Sequence, residues 1–205
     1  MDVTDPSQPL SARARSRIAT RARLLEGARE LFAQRGLSRV TSHDIARSAG
    51  VAAGTFYLHF SDKEALFREI AYEAIAALQQ ELQRSMETAD DTRTGIRAQA
   101  EALVVFAEAN RNLVLIVFGP DSAMAGLESD ILDFMAAHAA EVLEHRAAAG
   151  VIRTDLDPAV TAQALVGMSA RVITWWIEDP SRATRDAVID TLTNIQISGT
   201  IPPVN

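Results

Sequence analysis

Residues 41 to 63 read Thr41-Ser-His-Asp-Ile-Ala-Arg-Ser-Ala-Gly-Val-Ala-Ala-Gly-Thr-Phe-Tyr-Leu-His-Phe-Ser-Asp-Lys63, and they predict two short helices joined by a tight turn. The first helix begins after Thr41, whose hydroxyl is suited to cap an N-terminus. It ends at Gly50, because glycine readily adopts the left-handed conformation that turns the chain after a helix. Together the two helices form the helix-turn-helix arrangement, in which the second helix presents its N-terminal residues to the DNA major groove.

Apolar side chains in and before this stretch predict a small three-helix domain. The small Ala46 lets the second helix cross closely, and Val51, Phe56 and Phe60 fill the crossing. A preceding helix, which stops at Gly36, offers an apolar face at helical spacing. That face consists of Leu24, Leu25, Ala28, Leu31 and Phe32.

Three motifs in this region match the pattern of a known family. They are Asp44-Ile-Ala-x-x-Ala-Gly-Val51, Gly54-Thr-x-Tyr-x-His-Phe60 and Lys63-Glu-Ala-Leu66. With them, residues 20 to 70 resemble the tetracycline-repressor-like (TetR, AcrR-type) family of bacterial transcriptional regulators. The resemblance implies an all-α homodimer, in which a long helix joins an N-terminal helix-turn-helix domain to a C-terminal helical domain for effector binding and dimerisation.

The remaining sequence shows helical spacing of apolar residues and no strand pattern of any length. A long fourth helix, capped by Ser61 or Asp62, is predicted to run to about Glu87 and to bridge the two domains. Five further helices are predicted over residues 93–109, 113–118, 127–149, 158–178 and 181–197. The predicted domains are a disordered tail (1–12), the helix-turn-helix domain (13–66) and the effector-binding and dimerisation domain (67–205).

The charge distribution supports a DNA-binding N-terminus in spite of the net charge of −7. Residues 1 to 60 contain nine arginines and five acids, whereas the remainder contains 11 basic and 22 acidic residues. Affinity for nucleic acid depends on the local footprint rather than on the total charge. The chain has no cysteine, no apolar run long enough for a membrane span and no signal-peptide pattern, so a soluble cytoplasmic protein is expected.

Several side chains are predicted to contact DNA. At the start of the second helix of the motif, alanine methyls face thymine methyls, a glycine allows close approach and a threonine offers its hydroxyl. The resemblance implies that Tyr57, His59 and Lys63 contact phosphates, although packing within the domain is an alternative for Tyr57 and His59. A basic arm that includes Arg17 is predicted to enter a minor groove or to lie along phosphates, and a solvated helix start is the alternative. The complete predicted set is Arg17, Thr41, Ser42, His43, Ala52, Ala53, Gly54, Thr55, Tyr57, His59 and Lys63.

The eighth helix is apolar nearly all round, which predicts burial on two sides. One side covers the protomer's own core, and the other, with the ninth helix, meets a symmetry-related copy in a four-helix interface. The alternative is a helix buried within a monomer. The predicted interface residues are Leu165, Ser169, Ile173, Trp176, Val188, Leu192 and Ile195.

Aromatic and methionine side chains of the C-terminal half predict an apolar effector cavity, with ordinary core packing as the alternative for each. Arg171, the only charged residue within an otherwise apolar helix before its last position, is predicted to pair with an anionic effector or with an acid across the dimer interface. The predicted effector-binding residues are Phe106, Phe118, Met124, Phe134, Met135, Arg171 and Trp175.

Enzyme motifs are absent from the sequence: there is no glycine-rich phosphate loop and no nucleophile elbow. His138, Glu141 and His145 share a helix face at possible metal-ligand spacing, but a solvated surface pair explains Glu141 and His145 more simply. Neither a metal nor a cofactor is predicted.

The resulting hypothesis is a homodimeric repressor that a small apolar effector releases from a palindromic double-stranded operator. Two alternatives remain at this stage: a constitutive or partner-controlled DNA-binding regulator without an effector, and a ligand-binding protein unrelated to DNA.

Overall fold

A computed structural model describes residues 11–120, 124 and 126–202, and within these residues the chain is helical and contains no β-strand. The predicted all-α fold is thus confirmed. The chain divides into two compact units, with the boundary between Ile70 and Ala71. The helices are α1 (Ala12–Arg35), α2 (Ser42–Ser48), α3 (Ala53–Phe56), α4 (Lys63–Glu87), α5 (Thr92–Ala109), α6 (Arg111–Phe118), α7 (Leu127–Ala148), α8 (Pro158–Glu178) and α9 (Arg185–Thr200), with a 3-10 turn at Pro180–Arg182.

The N-terminal unit has its own apolar core between α1, α2, α3 and the first turns of α4. Leu24, Ile45, Phe56 and Phe67 are at most 1% exposed. The rings of Phe32 and Phe67 meet edge to face, with their centres 5.5 Å apart. Burial of a side chain of this size contributes roughly 1.5–3 kcal/mol, so these contacts account for a large share of the unit's stability.

Small residues and local caps set the geometry of this unit. Ala46 is buried as predicted, and Gly27 of α1 also permits the close crossing, since a Cβ there would lie 2.9 Å from Ser48 Oγ. Gly36 and Gly50 both have a positive φ, at 73° and 66°, and end their helices where the sequence predicts.

The start of α4 is fixed by one cap and one ion pair. Of the two predicted caps, Asp62 fills the role: its Oδ1 accepts a hydrogen bond from Ala65 N at 2.6 Å. Further along α4, Glu69 forms a bidentate ion pair with Arg21 of α1. The guanidinium of Arg21 also lies 4.8 Å from the ring centre of Phe60. These contacts hold α1 against α4 and orient the segment that follows α3.

The C-terminal unit is built on two apolar clusters. The larger cluster joins α5, α6, α8 and α9 and includes Val104, Trp176 and Ile189. The Trp176 indole Nε1 donates to Ala183 O at 3.0 Å, which satisfies its polar atom at the edge of that cluster. The smaller cluster joins α7 to α8 through Leu143 and Ala162 and includes Ile152 from the intervening loop.

The ninth helix begins later than predicted. A helix start at Ser181 was expected after Pro180, but residues 180–182 form only a 3-10 turn, closed by the Asp179 carboxylate on Ser181 N at 3.1 Å. The cap of α9 is Thr184, whose hydroxyl accepts from Ala187 N at 3.2 Å. Asp179 and Thr184 thus both act as caps in this segment, and the α-helix begins after the second one.

At the N-terminus, Ser11 caps α1, so Ala12 is already helical. The disordered tail predicted for residues 1–12 otherwise lies outside the described residues. Within the described ranges, no helix combines the length and the apolar character needed to cross a membrane.

Candidate nucleic-acid interface and ligand cavity

The first residues of α3 form an open, flat surface on the N-terminal unit. Ala52, Ala53 and Gly54 are exposed, and nothing lies within 4 Å of a Cβ built on Gly54. Tyr57 is 62% exposed and meets the buried Phe56 ring edge to face. Because small side chains border this surface, the edge of a base pair or a phosphate can approach the α3 backbone closely.

Thr41 and Asp44 form a capping box at the start of α2. The Thr41 hydroxyl donates to Asp44 Oδ2 at 2.6 Å and accepts from Asp44 N at 3.1 Å. Hydrogen bonds from Thr41 also hold the pKa of the Asp44 carboxyl below its ordinary value. The structure therefore gives the Thr41 side chain a capping role, and its contact with DNA stays a prediction. Beside it, Ser42 is half-buried and His43 is exposed, with Nδ1 3.3 Å from Arg47 Nη2.

The side chains of His59 and Lys63 are partly buried, and each has contacts within the N-terminal unit. Two of the three donors of the Lys63 ammonium bind the carbonyl oxygens of Leu37 and Val40, at 2.8 and 2.9 Å. Lys63 therefore ties down the loop before α2, which leaves one donor for a phosphate. Burial lowers the pKa of the His59 imidazole, and the positive charges of Arg17 and Arg21 lower it further. Both effects favour the neutral form of His59, and the phosphate contacts of His59 and Lys63 stay predictions.

The C-terminal unit contains a cavity of about 790 Å³. Its wall is mostly apolar and is formed by α4, α5, α7 and α8, with contributions from α6 and α9. Sites for small organic molecules span roughly 300–1,000 Å³, so this cavity has the size of a ligand site. Three residues predicted to bind an effector, Phe106, Phe118 and Met135, line it.

The other four predicted effector residues lie elsewhere. Met124 is 4% exposed and belongs to the core, whereas Phe134 is 44% exposed and meets the Tyr72 ring edge to face. Trp175 is 37% exposed, with Arg182 stacked on its ring. Arg171 is exposed on the outward face of α8 and does not line the cavity, so its pairing with an acid across a dimer interface stays a prediction.

The structure also corrects the predicted dimer-forming residues. Ile173, Trp176, Val188 and Leu192 are each at most 6% exposed within one protomer, because they pack against α5 and α6. Leu165 and Ser169 are half-buried and line the cavity, while Ile195 remains 50% exposed. Helical spacing identifies the two faces of α8 but not which of them meets the protomer's own core. The outward stripes are Val160, Ala164, Gly167, Arg171 and Trp175 on α8, and Ala187, Thr191, Ile195 and Ser198 on α9.

Two polar atoms in the cavity wall have no hydrogen-bond partner among the described residues. They are Nε2 of Gln79 in α4 and Oγ1 of Thr174 in α8, and both are buried. A buried polar group without a partner costs about 1–3 kcal/mol, so a ligand that supplied the missing partner would recover that free energy. Sequence reasoning missed both residues, because neither stands out on its helix until the helices converge.

His138, Glu141 and His145 all contribute to the cavity lining. Nδ1 of His145 lies 2.7 Å from the Glu141 carbonyl oxygen. Within the described ranges, no three His, Cys, Asp or Glu side chains form a group suited to a metal ion.

Residues 24–70, which contain the open α3 surface and the helices that position it, match the model of the bacterial regulatory proteins of the tetR family. The chain is thus similar to the TetR-type transcriptional regulators. The "uncharacterized HTH-type transcriptional regulator YdgC" of Bacillus subtilis (strain 168) is 26% identical over 197 residues, which cover 92% of this chain and 96% of that protein.

Two solved structures share the fold of this chain. Thermus thermophilus FadR, a TetR-family repressor in complex with lauroyl-CoA, has a TM-score of 0.69 and 22% identity over 90% of this chain and 97% of that one. SmeT in complex with triclosan has a TM-score of 0.70 and 19% identity over 90% and 92% of the two chains.

Replacing Gln79 by leucine is expected to stabilise the protein by about 1 kcal/mol or more, because the substitution removes a buried donor without a partner. Thermal or urea unfolding of the free protein measures the change. Gln80→Leu is the matched control, since Gln80 is the exposed neighbour on the same helix and its replacement leaves the stability nearly unchanged. A Gln79→Leu protein that unfolds more easily than wild type would show that the amide is already satisfied.

Proposed function

We propose that this protein is a homodimeric repressor that binds a palindromic operator and is released from it by a small, largely apolar effector. The observation that supports an effector most directly is the cavity of about 790 Å³ in the C-terminal unit. A regulator without an effector would need no cavity. A filled core would also be more stable than this cavity, whose wall contains two buried polar atoms without a hydrogen-bond partner among the described residues.

The dimer is supported by the outward faces of α8 and α9. On α8 the stripe from Val160 through Gly167 to Trp175 is apolar or small apart from Arg171, and it follows a spacing of three or four residues. Val160 is 69% exposed and Ile195 of α9 is 50% exposed. A helix pair that exposes such faces is suited to an isologous four-helix interface. A two-fold dimer also matches two half-sites one helical turn apart.

Helix α4 supplies the proposed link between effector and DNA. Its side chains Ile75, Leu78 and Gln79 line the cavity, while its first turns belong to the DNA-binding unit. A ligand that binds only one position of this helix shifts the population toward that position. Moving operator occupancy from nearly complete to nearly absent requires a difference of about 5.5 kcal/mol between the two states.

Ligand-bound relatives support an apolar effector. The structural neighbours from Thermus thermophilus and SmeT were solved with lauroyl-CoA, which has an apolar acyl chain on a polar coenzyme A group, and with triclosan, a largely apolar molecule. Their identity to this chain is too low to transfer either ligand. The class of effector for this chain therefore depends on its own cavity.

Footprinting tests the DNA-binding part of this proposal. The purified chain is incubated with the intergenic DNA beside its own gene and with unrelated DNA of the same length. We expect protection of one inverted repeat, and we expect a steep loss of affinity as salt rises, because phosphate contacts release counterions. Equal binding to both DNAs, or none to either, would reject a specific operator there.

A further inference from the structure

Arg146, in the last turn of α7, is the charged residue of the cavity wall whose position calls for a ligand. Its guanidinium donates to Met86 Sδ and to Thr92 Oγ1, both at 3.3 Å. Neither acceptor is an acid, and no carboxylate pairs with Arg146 among the described residues. A guanidinium has five N–H donors, so most of them remain available. Burial lowers the pKa of the Arg146 guanidinium, because the charged group has lost water and no nearby negative charge compensates for that loss.

The acids around the cavity do not neutralise Arg146. Glu87, Asp91 and Glu141 belong to the lining, yet all three are exposed. Glu87 accepts a hydrogen bond from Gln83, and Asp91 caps α5 through Thr94 N at 2.8 Å. Their charges are therefore largely screened by water, whereas the half-buried guanidinium is screened less.

The apolar part of the cavity extends away from Arg146 along α4. Met86, which touches the guanidinium, is followed toward the N-terminus by Leu82, Leu78 and Ile75 in the lining. Eleven residues of helix span about 16 Å. The hydrocarbon core of a bilayer is ~30 Å thick, and an extended acyl chain spans one leaflet, which is half of that thickness. The α4 wall of the cavity has a similar length, so it can accommodate one extended acyl chain.

Resting on the proposed effector function, we infer that the cavity binds an amphipathic anion whose carboxylate or phosphate is held by Arg146 and whose alkyl chain lies along α4. The pairing resembles the general use of arginine for oxyanions, since its planar fork donates two hydrogen bonds at once. An alcohol or an amine with the same chain fills the apolar wall equally well but leaves the guanidinium without a counter-charge.

Isothermal titration of the intact protein with probes of one chain length tests this inference. The probes are dodecanoate, dodecyl phosphate, dodecan-1-ol and dodecylamine, all below their micellar concentrations. In wild type we expect at least one of the two anions to bind about tenfold or more tightly than the alcohol, and the amine to bind most weakly. A charge-assisted hydrogen bond of about 1.5–3 kcal/mol corresponds to this range. The anion that binds more tightly identifies the headgroup.

Substitution of Arg146 tests whether this residue causes the preference for an anion over the alcohol. Arg146→Gln is expected to reduce anion binding to the level of the alcohol and to leave alcohol binding unchanged, while Arg146→Lys restores part of the difference. Arg93→Gln is the matched control, because Arg93 is exposed beside Thr92 and does not line the cavity. The wild-type comparison decides the question even if Arg146→Gln fails to fold.

Two failures can be told apart. If the alcohol and both anions bind equally well to wild type, the anion site is rejected while the cavity remains an effector site. If none of the four probes binds, both the anion site and the apolar effector function are rejected.

Discussion

Replacing Gly54 by aspartate is expected to abolish specific operator binding and to leave the fold intact. Gly54 is exposed, has an ordinary negative φ and offers open space around a new Cβ. The carboxylate would stand on the face that we propose enters the major groove, where a like charge opposite phosphates costs several kcal/mol. The expected loss of affinity is about 100-fold or more, measured by fluorescence anisotropy with labelled operator DNA.

Asparagine at the same position is the matched control, because it has the shape of aspartate without the charge. Gly54→Asn is expected to bind clearly better than Gly54→Asp, with the same thermal stability. If Gly54→Asp bound the operator as wild type does, the start of α3 would not face DNA, and the proposed orientation of the N-terminal unit would be wrong.

Gly167→Glu is expected to convert the proposed dimer to a monomer. Gly167 lies in the middle of the outward stripe of α8, and nothing lies within 4 Å of a Cβ built there. In a two-fold interface each copy would bring one carboxylate toward the other, so two like charges would lose water together. We expect the dissociation constant of the dimer to rise about 100-fold or more, as measured by sedimentation velocity over a concentration series.

Ala137→Glu serves as the control for Gly167→Glu. Ala137 is exposed on α7, outside both the α8 stripe and the cavity lining, so the same charge is added without touching the proposed interface. This variant should sediment as wild type does. Operator affinity should fall together with dimer stability in Gly167→Glu, and a variant that remains dimeric would place the interface on another surface.

The ends of most helices could be predicted from the sequence, because their signals are local. Thr41 caps α2 together with Asp44, Gly36 and Gly50 end helices with a positive φ, and Asp157 caps α8 through Val160 N at 2.9 Å. In each case the residues that decide the boundary lie within a turn of it. The start of α9 was missed because the segment holds two capping side chains, Asp179 before Pro180 and Thr184 after it.

The cavity wall could be predicted only in part, because it depends on how helices meet. Periodicity identified Phe106 and Met135 as apolar, but it could not tell a cavity lining from a filled core. Arg171 drew attention as the one charged residue in the interior of an apolar helix, yet the face that contains it points outward. Arg146 stands in the last turn of α7, where a basic residue is ordinary because it complements the helix dipole. Only the approach of α4 and α5 distinguishes it from other surface arginines.

The hydrogen bonds of Lys63 have a practical consequence for experiments on this protein. Lys63 is the chain's only lysine, its side chain is 20% exposed, and its ammonium is held by two carbonyl oxygens. Among the described residues, the only side-chain amine that an amine-reactive dye could label is therefore shielded, so Lys63 is expected to react slowly. Lysine labelling is thus poorly suited to single-molecule measurements of operator search, since a dye on Lys63 would displace the contacts that hold the loop before α2.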